Sequence, residues 1–300
     1  MTLIRENEYK WYEKLAFNVI KCGPIPRHIA IIMDGNRRFA KTENIEKIEG
    51  HSRGFDKLSE CLGWCLELGV KEVTAFAFSI ENFKRSPEEV SALMDITKVK
   101  FQKLLEEKER LHENGVRIRI LGNLALLPEE LQQLMSEAML MTEQNNNLFL
   151  NIAFAYTSRE EITNAIQTIC QEGGNLEEED ITEELVAQCL YTKDIKNPDL
   201  LIRTSGESRL SDFLMWQLSS TVLYFPKTFW PAITIWHLLY GIFCYQRSLL
   251  SISGYKTAIE QSSVKSQSGM SDRAKIFLHN VDMKRRDRLV RLSSAKHKGD

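Results

Sequence analysis

A carboxylate, a glycine, an amide and two guanidiniums stand in consecutive positions at Asp34-Gly35-Asn36-Arg37-Arg38, directly after the apolar run Ile31-Ile32-Met33. A strand that breaks into such a turn and then enters a helical segment makes a phosphate cradle. Backbone N–H groups at a helix start point at an anion, and the helix dipole favours it. Gly35 allows close backbone approach, Arg38 adds charge-assisted hydrogen bonds, and Asp34 would hold Mg²⁺ against the same diphosphate. Taken alone, an Asp-Gly turn before a solvated basic helix end accounts for these residues more simply.

Two further polar runs also follow predicted strands. Arg203-Thr204-Ser205-Gly206-Glu207-Ser208-Arg209-Leu210-Ser211 gathers two arginines and several hydroxyls in one loop. Guanidinium forks with hydroxyls suit a second diphosphate better than a nucleotide base, although a loop salt-bridge network explains the run as well. Phe78-Ser79-Ile80-Glu81-Asn82-Phe83-Lys84-Arg85 would bring Ser79, Asn82 and Arg85 to the same rim. Behind these loops Val90, Leu93, Met94, Phe101, Leu104, Leu105 and Leu111 recur at helical spacing, a stripe whose default reading is core packing rather than ligand lining.

The elements that must position these loops alternate. Apolar runs at His28–Met33, Glu72–Phe78, Arg117–Leu121, Leu148–Ala155, Asp199–Arg203 and Val222–Phe225 read as strands, with helical patterns between most of them. Strands apolar on both faces that alternate with helices predict an α/β fold: a single domain, about residues 24–250, with a mostly parallel six-stranded sheet flanked by helices. In open sheets of this kind ligands bind outside the carboxyl ends of the strands, where all three polar runs fall. Residues 1–23 predict an N-terminal amphipathic helix with Trp11, Leu15, Val19 and Ile20 on one side, packing on the domain or touching a membrane. Residues 251–300 predict a C-terminal arm, with a Ser/Gln-rich loop at Gln261–Asp272 followed by a basic helix over Ala274–Leu292.

Composition excludes several classes. With 43% hydrophobic and 27% charged residues the chain can bury a sizeable core. A net charge of -2 speaks against nucleic-acid binding, so any anion site must be local. The cysteines Cys22, Cys61, Cys65, Cys170, Cys189 and Cys244 form no CxxC pair and read as reduced, mostly buried thiols, and the Cys61/Cys65 pair lacks the further ligands of a metal site. No signal-peptide pattern opens the chain, which predicts a cytosolic setting, and Phe229–Tyr245 is too short to span a bilayer and reads as a buried or membrane-facing helix. No GxxxxGK loop followed by Ser or Thr supports a nucleotide kinase.

The segments HIAIIMDGNRRFAK, EGHSRGF, FAFSIENFKRS, LNIAFAYTSREEI and DLLIRTSGESRLSDFLMWQ resemble, in order, the blocks of the cis-prenyltransferases, the undecaprenyl and dehydrodolichyl diphosphate synthases. The Arg-Arg after Asp-Gly-Asn resembles the eukaryotic dolichol branch of that family. The resemblance implies that Asp34 positions Mg²⁺ between two substrates, and that Asn36 and Ser79 sit at the reacting centre. Gly35, Asn36, Arg37, Arg38, Lys47, His51 and Arg85 would hold an allylic diphosphate, with farnesyl diphosphate as starter. Arg203, Arg209 and Ser211 would grip isopentenyl diphosphate. The implied product is a long polyprenyl (dehydrodolichyl) diphosphate, a precursor of dolichol for protein glycosylation.

Three departures from the family pattern bear on this expectation. Lys47 stands where an arginine is usual, keeping the charge without the bidentate fork. Val222 replaces a metal-linked glutamate of bacterial members. No Arg-x-Gly occurs after residue 225, whereas homodimeric members carry one that completes the neighbour's isopentenyl site. The resemblance therefore implies a heteromer in which a non-catalytic homologue like the Nogo-B receptor supplies that element and a membrane anchor, at the cytosolic face of the endoplasmic reticulum. The competing expectation is a divergent low-activity or non-catalytic paralogue acting as a binding subunit of the same complex. The joint presence of Asp34, Arg38, Arg85, Arg203, Arg209 and Ser211 favours the enzyme.

Overall fold

A computed structural model describes residues 8–268 and 270–294. Six strands, β1 (His28–Ile32), β2 (Glu72–Ser79), β3 (Val116–Leu121), β4 (Leu148–Tyr156), β5 (Leu200–Arg203) and β6 (Val222–Tyr224), form one sheet in the order β3-β4-β2-β1-β5-β6. Every neighbouring pair is parallel, so the sheet is parallel throughout rather than mostly so. The helices are α1 (Trp11–Lys21), α2 (Asn36–Thr42), α3 (Lys47–Leu68), α4 (Pro87–Glu106), α5 (Lys108–Glu113), α6 (Glu129–Met141), α7 (Ser158–Glu172), α8 (Glu183–Cys189), α9 (Ile235–Ser268) and α10 (Asp272–Ser294).

β1 lies between β2 and β5, with Ile32 in register with Phe76 on one side and Arg203 on the other. The chain leaves β1 towards β2 and returns across it to reach β5, which opens a crevice at the carboxyl ends of these strands. One side of the sheet is sealed by α3, α4 and α6 through residues such as Ile29, Ile31, Leu62, Phe101 and Met135. Ala30, Phe76, Tyr156, Phe213 and Leu214 form a second cluster, in which the Phe76 and Phe213 rings stack 4.5 Å apart. Burial on both faces is why these strands read as continuous apolar runs.

α1 packs on the body through Phe17, which meets Tyr9 edge-on at 4.9 Å, and through Ile20. Of the stripe expected either to pack on the domain or to touch a membrane, Ile20 packs on the core while Trp11, Leu15 and Val19 face outward, with Trp11 76% exposed. Residues four apart share a helix face, and that face lies away from Phe17. The loop predicted at Gln261–Asp272 is also revised, because α9 continues to Ser268. Serine and glutamine cost a helix only a few tenths of a kcal/mol each, and no proline interrupts the run. The break before α10 comes at Met270-Ser271, where Ser271 caps the helix by accepting from the Ala274 N–H at 3.1 Å. α10 is tied to the body by Arg273 on Asp180 at 3.0 Å and on Glu177 at 2.9 Å, and by Phe277 and Val281 on the α7/α8 cluster.

Within Phe229–Tyr245 a short 3-10 turn at Trp230–Ala232 precedes the helix. Leu238, Leu239 and Ile242 are buried while Trp236, Tyr240 and Phe243 are exposed. Among the described residues no helix is long and apolar enough to cross a membrane. All six cysteines are free. Cys61, Cys65 and Cys189 are buried, but Cys22 and Cys170 are exposed, so the expectation of mostly buried thiols holds for only half of them.

Candidate active site

Asp34 leaves the end of β1, and its carboxylate lies between two arginines from different segments. Oδ2 accepts from Arg203 Nη2 at 2.8 Å, and Oδ1 accepts from Arg38 Nη2 at 3.2 Å. The backbone of Asp34 is fixed as tightly: its N–H donates to Thr204 Oγ1 at 3.0 Å, and its carbonyl accepts from Thr204 at 2.7 Å and Ser205 at 2.9 Å. Gly35 follows with φ +104°, a conformation that side chains with a Cβ rarely adopt, and a Cβ there would strike Ser205 and Phe229. Thr204 and Ser205 thus position Asp34, a role the sequence reading did not assign although both stood in the run it singled out.

Arg203, 3% exposed, ends β5. Its Nη1 donates to Ser211 Oγ at 2.7 Å and to the Arg209 carbonyl. Glu207 joins the two sides: it accepts from Arg38 at 3.0 Å and pairs with Arg209. The Arg209 charge, and then the hydrogen bond from Arg38, hold the Glu207 carboxyl below its ordinary pKa. Arg85 pairs with Glu89 at 3.0 Å, and Arg37 approaches the same carboxylate at 3.6 Å. Glu207 and Glu89 were not foreseen, since a carboxylate among cations reads from sequence only as a surface ion pair.

Ser79 caps the short 3-10 segment Ile80–Lys84, accepting from the Glu81 N–H at 3.2 Å, while its own N–H donates to Asn82 Oδ1 at 3.1 Å. Asn36 opens α2, and its Oδ1 is buried without a partner beside Gly54 of α3. His51, one turn into α3, also has a buried, unpartnered Nε2. Burial first, and then the Arg85 charge, lower its pKa to about 4, so the ring is neutral at physiological pH. Lys47 is exposed at the first position of α3, bordering the same hollow as Arg37, Arg38, His51, Arg85 and Arg209. Every site residue singled out from sequence therefore borders one cleft of about 570 Å³ or the hollow of about 670 Å³ that adjoins it. The cleft floor is apolar, formed by Leu93, Phe78 and Phe154 with Thr97. An apolar pocket of about 60 Å³ continues from Thr97 and Phe154 to Phe101 and Leu104, between α3 and α4. The α4 stripe thus packs the core and also lines a passage.

A cationic mouth opening on an apolar passage suits an amphiphile with a polyanionic head. A family model described as putative undecaprenyl diphosphate synthase matches residues 32–250, nearly the whole of the unit that builds this cleft. The chain belongs to the cis-prenyltransferase family. It is 53% identical to a dehydrodolichyl diphosphate synthase complex subunit of Homo sapiens, over 82% of this chain and 74% of that one. It is 42% identical to a tritrans,polycis-undecaprenyl-diphosphate synthase (geranylgeranyl-diphosphate specific) of Thermoplasma acidophilum, over 79% of this chain and 93% of that one. Among solved structures, lavandulyl diphosphate synthase from Lavandula x intermedia, in complex with dimethylallyl diphosphate, superimposes with TM-score 0.69 and 35% identity. That match covers 74% of this chain and 95% of the other. Like other cis-prenyltransferases, this chain is a prenyl-transferring enzyme built on a parallel sheet flanked by helices.

As to a metal, no group of three or more His, Cys, Asp or Glu residues suited to holding an ion occurs among the described residues. Asp34 offers a hard carboxylate at the cleft wall, one-quarter exposed. Mg²⁺ commonly takes one or two carboxylates and completes its shell with waters and substrate phosphates, so the donor set fits.

Proposed function

We propose that this chain is the catalytic subunit of a long-chain polyprenyl (dehydrodolichyl) diphosphate synthase, condensing isopentenyl diphosphate repeatedly onto farnesyl diphosphate. The observation that carries the reading is the Asp34 carboxylate held between Arg38 and Arg203, with Glu207 bridging Arg38 to Arg209, at the mouth of an apolar passage. One cation set faces each side of one carboxylate, as two diphosphates require. Gly35, Arg37, Arg38, Arg85 and the neutral His51 would bind the allylic diphosphate, with Lys47 adding charge at the rim. Arg203, Arg209 and Ser211 would bind isopentenyl diphosphate. Its double bond is then held against the allylic carbon near Asn36 and Ser79, which supplies the proximity term. The allylic C–O bond breaks as the new C–C bond forms, one proton is lost from the isopentenyl unit, and the cis double bond results. Arg38 and Arg85 stabilise the charge that develops on the departing diphosphate. Mg²⁺, held by Asp34, would neutralise part of that charge.

The human relative is named as a complex subunit. In keeping with that name, the isopentenyl side is completed in this reading by a second, non-catalytic homologue like the Nogo-B receptor. The exposed Trp11, Leu15 and Val19 face supports peripheral contact at the cytosolic face of the endoplasmic reticulum. The test is incorporation of radiolabelled isopentenyl diphosphate with farnesyl diphosphate and Mg²⁺, by the chain alone and with that partner, beside Asp34→Ala. Partner-dependent synthesis that is abolished by the substitution and by chelation is expected. No synthesis in either mixture, with the partner bound, would establish the non-catalytic paralogue instead.

A further inference from the structure

Glu161, in the first turn of α7, is 1% exposed, yet every partner of its carboxylate is a neutral donor. Oε2 accepts from the Tyr156 hydroxyl at 2.6 Å and Gln217 Nε2 at 3.3 Å. Oε1 accepts from the Thr192 N–H at 2.9 Å and hydroxyl at 2.8 Å, and that hydroxyl accepts in turn from Gln217 Nε2 at 2.6 Å. A buried polar group is stable only when its hydrogen bonds are made. Those of Glu161 draw together the end of β4, the start of α7, the α8–β5 connection and the end of the 203–217 loop.

That loop needs a template. Ser211, Asp212 and Leu214 all have positive φ, at 52°, 58° and 49°, a costly state for residues with a Cβ that survives only where surroundings over-determine it. The start of α7 supplies much of that constraint. The Ser158 N–H donates to the Asp212 carbonyl at 2.8 Å, Ser158 Oγ accepts from the Met215 N–H at 2.7 Å, and Arg159 Nε donates to Asp212 at 2.9 Å. At the loop's other end Ser211 Oγ receives Arg203, which reaches Asp34. Glu161 touches none of the cleft, but it fixes the far end of the strained segment that presents Ser211 and Arg203.

We propose that Glu161 is a positioning residue for the isopentenyl side of the site, holding the loop through Gln217 in the shape that aims Ser211 and Arg203. The inference rests on the functional reading above. In Glu161→Gln the oxygen kept by Thr192 leaves an amide N–H against Gln217 Nε2, donor against donor. Losing this buried pairing is expected to raise KM for isopentenyl diphosphate about tenfold. KM for the allylic starter should stay within about twofold, because Arg37, Arg85 and His51 lie on other elements and Arg38 meets this loop at Glu207, at the other end from Gln217. Exchanging the partners, Glu161→Gln with Gln217→Glu, restores donor to acceptor and is expected to recover most of the isopentenyl KM.

The assay is steady-state incorporation of labelled isopentenyl diphosphate by the full chain with its partner, varying each substrate in turn, with Tm measured beside it. A fall in Tm and in the active fraction with both KM values unchanged would mean a purely structural role and overturn the proposal. So would equal rises in both KM values, or failure of the exchanged pair to rescue. If Glu161→Gln does not fold, Tyr156→Phe removes one donor to the same oxygen and must show the same selective KM rise. A wild type that incorporates label beside a Glu161→Gln with unchanged kinetics sinks this inference alone, whereas a wild type without incorporation sinks the functional reading beneath it.

Discussion

Replacing Arg203 by lysine tests whether the proposed isopentenyl side depends on a guanidinium fork or only on positive charge. Arg203 is 3% exposed and serves three acceptors at once: Asp34 Oδ2 at 2.8 Å, Ser211 Oγ at 2.7 Å and the Arg209 carbonyl. An ammonium at the end of a lysine stem keeps the charge but cannot span acceptors that two separate nitrogens reach from opposite ends of one plane. The geometry leaves room for the Asp34 contact and removes the other two. Two lost charge-assisted bonds, at about 1.5–3 kcal/mol each, come to roughly 3–6 kcal/mol, or about 10²- to 10⁴-fold in kcat/KM. Most of that loss should fall on the isopentenyl term, since Arg38 and Arg85 are untouched. The assay is initial-rate incorporation of labelled isopentenyl diphosphate with varied substrate, alongside thermal unfolding to show that the variant is folded. A folded Arg203→Lys enzyme within about threefold of wild type would refute the argument that the bidentate geometry, rather than the charge, organises this side.

Three further outcomes are expected. His51 has its pKa lowered to about 4, by burial above all, against an ordinary 6.5, so between those values the unfolded chain binds the proton that the folded one refuses. The stability this contributes is complete above pH 6.5 and drains away as pH falls through 4. His51→Gln should flatten the loss by on the order of 2 kcal/mol, as read by urea unfolding at pH 7 and pH 4.5. In Gly54→Ala the new methyl would strike Asn36 Oδ1 and approach Trp230 Cδ1 to 3.2 Å. It should cost about 1–3 kcal/mol in chemical denaturation and lower kcat by shifting Asn36, whereas an unchanged kcat would separate Asn36 from the reacting centre. Thr97→Trp fills the junction between the cleft and the apolar passage and should shorten the products seen by thin-layer chromatography. Unchanged chain length would place the growing chain elsewhere.

The sheet, and which residues line the cleft, were legible in the chain alone, because both rest on local physics. Six apolar runs became six strands within a residue or so of their expected ends, since burial on both faces leaves a signal that needs no partner to be read. Asp34, Ser79 and Arg203 could be assigned to one rim because the carboxyl ends of neighbouring parallel strands lie together whatever else the chain does. The helical ends were less legible. Trp11, Leu15 and Val19 make as good an amphipathic face as Phe17 and Ile20, and only packing decided which face turned inward. Serine and glutamine at 261–268 permit helix and loop alike, and the tertiary structure continued the helix. What no local pattern could give is which charges meet. Glu207 between Arg38 and Arg209, Glu89 beside Arg85, and Glu161 holding Tyr156, Thr192 and Gln217 join residues brought together by folding, many of them far apart in the chain. A buried carboxylate is worth its desolvation only with all its donors in place, and their coincidence is a property of the folded chain alone.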